Sequence, residues 1–286
     1  MNPPCLVTGA SGLVGGAVVR RLEGSRRVLA LDLAPPSPAA GDAETLAADI
    51  REPLPDRPDV EGPDVVHAAA LMKADEDDLW RTNVDGTRHV LDWAVRRGAR
   101  RVVFFSTGGV YGYRDTPADE DSPLDPVGYY GHTKWLGEHT CRMYARLCGL
   151  TVTVVRLFFP YGPGQRTGVF QFIHDAVRDE KTIRIHADGA PRMNPVHADD
   201  VADAVERILL RAGAGDLYNV CGDETVGFLD VVRMFEQHLG KRASCVPTDE
   251  PAGNLVGTSA RAQRDLDWRP RRTLADLPAA LAREEE

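Results

Sequence analysis

The chain has 286 residues, 43% of them hydrophobic, enough to bury a full core as one large domain or as a large domain with a smaller lobe. A formal net charge of -9 disfavours a phosphate-tracking surface, and with it a nucleic-acid partner. No apolar run approaches the roughly 18 residues that a membrane span needs, and Met1-Asn2-Pro3-Pro4 lacks the basic start of a secretory signal, so a cytoplasmic protein is expected.

In chain order, short β-branched runs alternate with longer segments of helical period, the pattern of βαβ units stacked into a parallel sheet. Strands are expected at Cys5–Thr8, Arg27–Asp32, Thr45–Ile50, Asp64–Ala69, Arg101–Ser106 and Thr151–Leu157. Helices are expected near Leu13–Glu23, Glu76–Arg97 and Tyr130–Cys148. Six such strands predict an α/β fold with a Rossmann-type doubly wound parallel sheet.

After Phe158 the residues Pro160, Gly162, Pro163 and Gly164 break the pattern, and shorter elements follow, among them Thr182–His186, Asp199–Leu210 and Leu229–Leu239. The expected division is a dinucleotide-binding domain with the catalytic residues over 1–158 and a smaller C-terminal substrate-binding lobe over 159–286, partly interleaved with it. Arg283–Glu286 reads as a solvated tail.

The first strand runs directly into Thr8-Gly9-Ala10-Ser11-Gly12-Leu13-Val14-Gly15. A pyrophosphate needs close backbone approach and free N–H groups at a helix N-terminus, which side chains at Gly9, Gly12 and Gly15 would block. By itself such a turn is also what tight strand-to-helix packing uses. Asp32 adds weight: it ends the second strand about 20 residues past the middle glycine, where a carboxylate accepts hydrogen bonds from the adenosine ribose. That carboxylate would repel the 2′-phosphate of NADP, and Leu33-Ala34-Pro35 offers no cation to hold one. NAD is the expected cofactor.

Tyr130 and Lys134 stand four residues apart, on one face of a helix. An ammonium near a phenol stabilises the phenolate and moves a weak base toward its working range. Upstream, the apolar run Val102-Val103-Phe104-Phe105 ends in Ser106-Thr107-Gly108-Gly109, which puts hydroxyls at the carboxyl edge of the sheet, where ligands bind. Thr107 is the expected orienting hydroxyl and Ser106 the alternative.

Other chemistry-bearing residues read more plainly. Five widely spaced cysteines contain no Cys-x-x-Cys pair, and Cys141 and Cys148 share a helix face as packing residues. The eight histidines show no ligand spacing, so no metal is expected. His132 points away from the Tyr130–Lys134 face, and Lys73 is either an ordinary loop lysine or a cleft residue.

These motifs together resemble the extended short-chain dehydrogenase/reductase family, in its NAD-dependent epimerase/dehydratase branch, over nearly the whole chain. The resemblance implies that Gly9, Ser11, Gly12, Leu13, Val14, Gly15 and Asp32 bind the cofactor, that Asp49 and Ile50 flank its adenine, and that Ala69 and Ala70 line its cleft. It adds Asn83 to the cofactor residues, gives Tyr130 and Lys134 a second role there, with Lys134 on the nicotinamide ribose, and implies a homodimer built on two long helices.

Departures from the family pattern bear on substrate. Gly108-Gly109 stand where dehydratases and decarboxylases of the branch carry acidic residues, which disfavours elimination. Phe159 replaces an asparagine that holds a substrate diphosphate, and Ala252 replaces an arginine. Arg192 is matched to a phosphate-binding arginine.

The expected function is therefore an NAD-dependent epimerase of a carbohydrate, nucleotide-linked or smaller, in which Tyr130 takes the hydroxyl proton, Thr107 orients the oxygen and Arg192 anchors the anionic end. The alternatives are a net dehydrogenase or reductase of a smaller sugar, cyclitol or hydroxy compound using the same residues, and a dinucleotide-sensing protein without catalysis.

Overall fold

The computed structural model describes residues 2–34, 43–186, 189–249 and 253–282. Pro35, Ala252 and the tail Arg283–Glu286 lie outside the described residues.

The first half alternates strand and helix: β1 (Cys5–Thr8), α1 (Leu13–Leu22), β2 (Val28–Asp32), β3 (Glu44–Ala47), β4 (Asp64–His67), α2 (Glu76–Trp80), α3 (Gly86–Arg96), β5 (Arg101–Thr107), α4 (Gly128–Cys148) and β6 (Val152–Leu157). The second half holds β7 (Pro160–Tyr161), α5 (Val169–Arg178), β8 (Thr182–Ile185), β9 (Arg192–Met193), β10 (Val196–His197), α6 (Ala198–Leu210), β11 (Leu217–Val220), β12 (Val226–Gly227), α7 (Phe228–Leu239), β13 (Ser244–Pro247), α8 (Ala260–Leu266) and α9 (Leu277–Ala282).

The main sheet is parallel throughout, in the order β11-β6-β5-β4-β1-β2-β3. This is a Rossmann-type doubly wound sheet, with its strand order reversing between β1 and β4. It has seven strands, one more than expected. The seventh, β11, reads Leu-Tyr-Asn-Val, and its polar Asn219 is fully buried because Tyr111 and the Ala118 carbonyl satisfy its side chain.

Period-two alternation builds a core on each face of the sheet. Cys5, Val7, Val103 and Phe105 face one way, with α1, α6 and Trp268, whereas Leu6, Val65, Val102 and Phe104 face the other, with α3 and α4. A separate apolar core joins α5, α7 and α9 through Phe170, Ile173, Val231, Phe235 and Leu277.

The segment expected as one helix over Glu76–Arg97 is helical, but Arg81–Asp85 widens into a π turn between α2 and α3. Asp75 caps its start by accepting from the Asp78 N–H at 2.8 Å. The strand expected to reach Ile50 stops at Ala47, because Ile50 is buried against Gly86 and its carbonyl accepts from His89 at 2.9 Å. Cys141 is core, but Cys148, on the last turn of α4, is exposed, so the pair does not share one environment.

Candidate active site

The turn after β1 shows how its three glycines divide their work. A Cβ on Gly9 would lie 2.6 Å from the Ala69 nitrogen, and Gly9 also has φ +68. One on Gly15 would lie 2.0 Å from the Gly9 carbonyl oxygen. Both are demanded by the close approach of β1, α1 and the end of β4. A Cβ on Gly12 would meet only the Gly9 oxygen, at 3.2 Å, and Gly12 stands at the N-cap of α1 with no side chain capping it. The first-turn N–H groups of Leu13 and Val14 are thus left to an anion, on the positive end of the helix.

Asp32 closes this turn from β2. Its Oδ2 accepts from the Ser11 N–H at 2.9 Å and its Oδ1 from the Leu33 N–H at 2.7 Å, leaving lone pairs on both oxygens for further donors. Ala69 and Ala70 are half-buried beyond β4, beside Gly9. A cradle of free N–H groups beside a fixed carboxylate fits a pyrophosphate and its ribose.

Three residues assigned to this cleft from resemblance, Asn83, Asp49 and Ile50, also have partners within the protein. Asn83 is buried, donates to the Leu71 carbonyl at 2.8 Å and to Thr133 at 3.0 Å, and accepts from the Leu71 N–H at 2.9 Å. Its side chain ties the loop after β4 to α4. The Asp49 carboxylate is bound by Arg51, whose side chain and N–H hold it below the usual carboxylate range, and the Ile50 side chain is in the core.

At the end of β5, Ser106 and Thr107 separate. The buried Ser106 hydroxyl donates to Glu138 Oε1 at 2.6 Å. Thr107 is half-buried, and its hydroxyl accepts from the Gly109 N–H at 3.1 Å, capping the short 3-10 turn Gly108–Tyr111. Its proton remains available. A Cβ on Gly108 would lie 2.5 Å from the Phe158 ring, so a side chain there would have to displace that buried ring.

Tyr130 is half-buried and Lys134 buried, both on the first turns of α4. The Lys134 ammonium lies over the Phe104 ring, 4.3 Å from its centroid. Burial pushes the Tyr130 phenol up to about 12 and the Lys134 ammonium down to about 8. The expectation that Lys134 lowers the Tyr130 pKa is not met. Desolvation opposes the charged form of both groups and is the leading cause of each shift.

Phe159 follows β6 with φ 45, in the left-handed region, and is half-buried with its ring 6.4 Å from that of Phe170. Arg192 is exposed on β9, next to the fully buried Met193, and makes no ion pair among the described residues. His132 is exposed and donates from Nδ1 to the Gly128 carbonyl of its own helix at 2.9 Å, away from the cleft chemistry. Lys73 is exposed beyond β4.

One functional candidate escaped the sequence reading. Glu138, one turn past Lys134, is fully buried and receives Arg156 at 2.8 and 2.7 Å, besides Ser106. The available signal was its i,i+4 spacing from Lys134 on a face otherwise apolar.

A family model described as "NAD dependent epimerase/dehydratase family" matches residues 5–221. The chain is 32% identical to a dTDP-glucose 4,6-dehydratase of Streptomyces griseus over 98% of its length and 93% of that protein. It is 31% identical to a UDP-glucose 4-epimerase of Mycolicibacterium smegmatis over 95% of each. Among solved structures, MoeE5 in complex with UDP-glucuronic acid and NAD superposes with a TM-score of 0.86 at 26% identity, covering 99% of this chain and 98% of that one.

Proposed function

The chain belongs to the NAD-dependent epimerase/dehydratase family, and from that premise we propose that it epimerises a carbohydrate by transient oxidation of a hydroxyl-bearing carbon, with Thr107, Tyr130 and Lys134 as the catalytic residues. The observation that carries this reading is the end of β5: Thr107 offers a hydroxyl at the cleft, and the next two positions carry no acid. A 4,6-dehydratase must also expel water, which needs an additional positioned acid and base. An acid at Gly108 would have to displace the buried Phe158 ring.

NAD, when bound, would supply reversible hydride acceptance from the substrate carbon. Leu13 and Val14 would hold its pyrophosphate by backbone N–H groups over the side-chain-free Gly12, whose own N–H closes the turn on the Gly9 carbonyl at 3.0 Å, and Ser11 would fix Asp32 for the ribose. Thr107 donates its hydroxyl proton to the substrate oxygen and orients it. Tyr130, protonated at rest because burial raises its phenol, would accept the proton of the reacting hydroxyl when in its deprotonated form and return it when the alcohol re-forms. Lys134 holds positive charge beside that exchange, and the Phe104 ring shields it from water. Arg192, exposed and without a carboxylate partner among the described residues, would bind the anionic end of the substrate, while Phe159 would supply an apolar wall.

The relatives matched are named as nucleotide-sugar enzymes, which supports a nucleotide-linked substrate; Phe159 supports a smaller one. The test is to denature the purified protein, identify the released dinucleotide by mass, and then assay UDP-glucose, UDP-glucuronic acid and dTDP-glucose. Near-stoichiometric NAD, with epimer formed and no lasting change in dinucleotide absorbance, is expected. Steady accumulation of reduced cofactor would make the protein a net dehydrogenase. We further propose a homodimer through α3 and α4, on which Val95, Met143 and Leu147 are exposed.

A further inference from the structure

Glu138 is a fully buried carboxylate without a role in the steps above. Its Oε1 receives the Ser106 hydroxyl at 2.6 Å and Arg156 Nε at 2.8 Å, and its Oε2 receives Arg156 Nη2 at 2.7 Å and Arg142 Nη2 at 3.2 Å. Those partners stand on three elements. Ser106 immediately precedes Thr107 on β5, Arg156 is on β6, and Glu138 shares α4 with Tyr130 and Lys134.

Stability alone accounts poorly for this arrangement, since a buried ion pair roughly breaks even against apolar residues of the same volume. Here one Arg156 nitrogen, Nη1, is buried with no hydrogen-bond partner, and the guanidinium instead stacks 4.6 Å from the Tyr111 ring centroid. The pair is an expensive way to fill the core, placed where the two catalytic elements meet. The close approach of those elements is itself exacting: a Cβ on Gly137 would lie 2.5 Å from the Phe104 ring on which Lys134 rests.

We propose that Glu138 is a positioning residue for the catalytic set: through Ser106 and Arg156 it registers α4 against β5 and β6, and it places a buried carboxylate one helical turn from Lys134. The proposal rests on the reading of Tyr130 and Lys134 as the catalytic pair. The titratable and charged groups around Lys134 and Glu138 are His67 on β4, Tyr130, Cys141 and Arg142 on α4, and Arg156 on β6, the two guanidiniums sharing the Glu138 carboxylate. His67 and Cys141 are neutral at working pH, because burial holds the imidazole near about 3 and the thiol near about 12. Glu138, ion-paired to Arg156 at 2.7 Å and Arg142 at 3.2 Å, is the carboxylate among them, and its charge opposes the desolvation that lowers Lys134.

The experiment is a side-chain NMR titration of the NAD-loaded protein labelled at lysine. The chain has four lysines, so that Lys134 is assigned by the resonance lost in Lys134→Arg. Glu138→Gln keeps shape and removes charge, and Glu138→Asp keeps charge but withdraws it by one methylene. The Lys134 midpoint should fall by at least about half a pH unit in Glu138→Gln and by less in Glu138→Asp. The alkaline limb of turnover should move down in step, because the ammonium is lost at lower pH.

An unchanged midpoint in folded Glu138→Gln would overturn the proposal and leave Glu138 as packing. Should Glu138→Gln fail to fold, Glu138→Asp decides: a lowered midpoint supports the proposal and a wild-type midpoint overturns it. Tyr130→Phe tests the underlying reading separately. Retained turnover in that variant would discard the catalytic pair, whereas the Lys134 titration would still report what Glu138 does.

Discussion

The Thr8 hydroxyl and the His67 imidazole meet at 2.7 Å across the seam between β1 and β4, where the strand order reverses. The surrounding bonds fix the protons. Thr87 donates to the Asn83 carbonyl at 2.6 Å, so at 3.1 Å it accepts from His67 Nε2–H, and His67 Nδ1 therefore accepts from Thr8. The ring is neutral, and the side-chain polar atoms of Thr8, His67, Thr87 and Asn83 are all paired.

Burial holds His67 near about 3, well below the 6.5 of an exposed imidazole. Between those values the unfolded chain takes up a proton that the folded chain does not. This contribution to stability is complete above pH 6.5 and is lost as pH falls toward 3, with a slope of up to about 1.4 kcal/mol per pH unit. Thermal unfolding across that range should show the slope, and His67→Asn should flatten it. A histidine resonance titrating near 6.5 at this position would contradict the bonding described.

Much of this arrangement was legible in the sequence, for identifiable reasons. Val-Val-Phe-Phe in β5 can only be a strand buried on both faces, and Tyr130 and Lys134 share a helix face by spacing alone. Glu138 was not legible as a buried charge, because its partners Ser106 and Arg156 lie far off in sequence and are brought together only by sheet order. The structural part played by Asn83 was hidden for the same reason: its bonds to Leu71 and Thr133 depend on how α4 packs. The direction of the Tyr130 shift was missed because spacing reports proximity and says nothing of desolvation.

The glycine turn permits a contrast within one protein. Gly15→Ala would drive a methyl to 2.0 Å from a backbone carbonyl that has nowhere to move, whereas a Cβ on Gly24 meets nothing within 4 Å. Gly15→Ala should cost about 3 kcal/mol or more and abolish NAD binding, with Gly24→Ala within about 0.5 kcal/mol of the parent. Denaturant midpoints and NAD titration read both. Equal stability of the two variants would mean that β1, α1 and β4 are not so tightly joined.

Asp32 is fixed by two N–H donors, so its charge is preset where the adenosine ribose would sit. Asp32→Ala should weaken NAD binding about tenfold or more, by loss of charge-assisted hydrogen bonds. It should weaken NADP less, since repulsion of a 2′-phosphate is removed too. Calorimetry with both dinucleotides gives the ratio, and an unchanged NAD-to-NADP preference would remove Asp32 from this role.

The dimer proposal turns on Leu147, which is 78% exposed on α4 beside Met143. A charge at the centre of an apolar contact cannot be desolvated without cost. Leu147→Glu should therefore halve the mass seen by light scattering while leaving the thermal transition of the monomer cooperative. A parent protein that is already monomeric would end the proposal.

Phe159 holds a left-handed backbone that bulky side chains adopt at a cost of order 1 kcal/mol, whereas asparagine visits it readily. Replacing the ring loses its contact with Phe170 whichever residue follows. Asparagine and alanine thus forfeit the same packing but differ in the backbone term. Phe159→Asn should be more stable than Phe159→Ala by about 0.5–1 kcal/mol, although neither matches the parent in apolar burial. If the ring also walls off a diphosphate subsite, Phe159→Asn should bind UDP more tightly than the parent does, and Phe159→Ala should gain less. Chemical denaturation and UDP titration of the three proteins test both statements. An alanine variant as stable as the asparagine one would show that the left-handed turn is not maintained in solution, and equal UDP affinities would free Phe159 from any part in choosing the substrate.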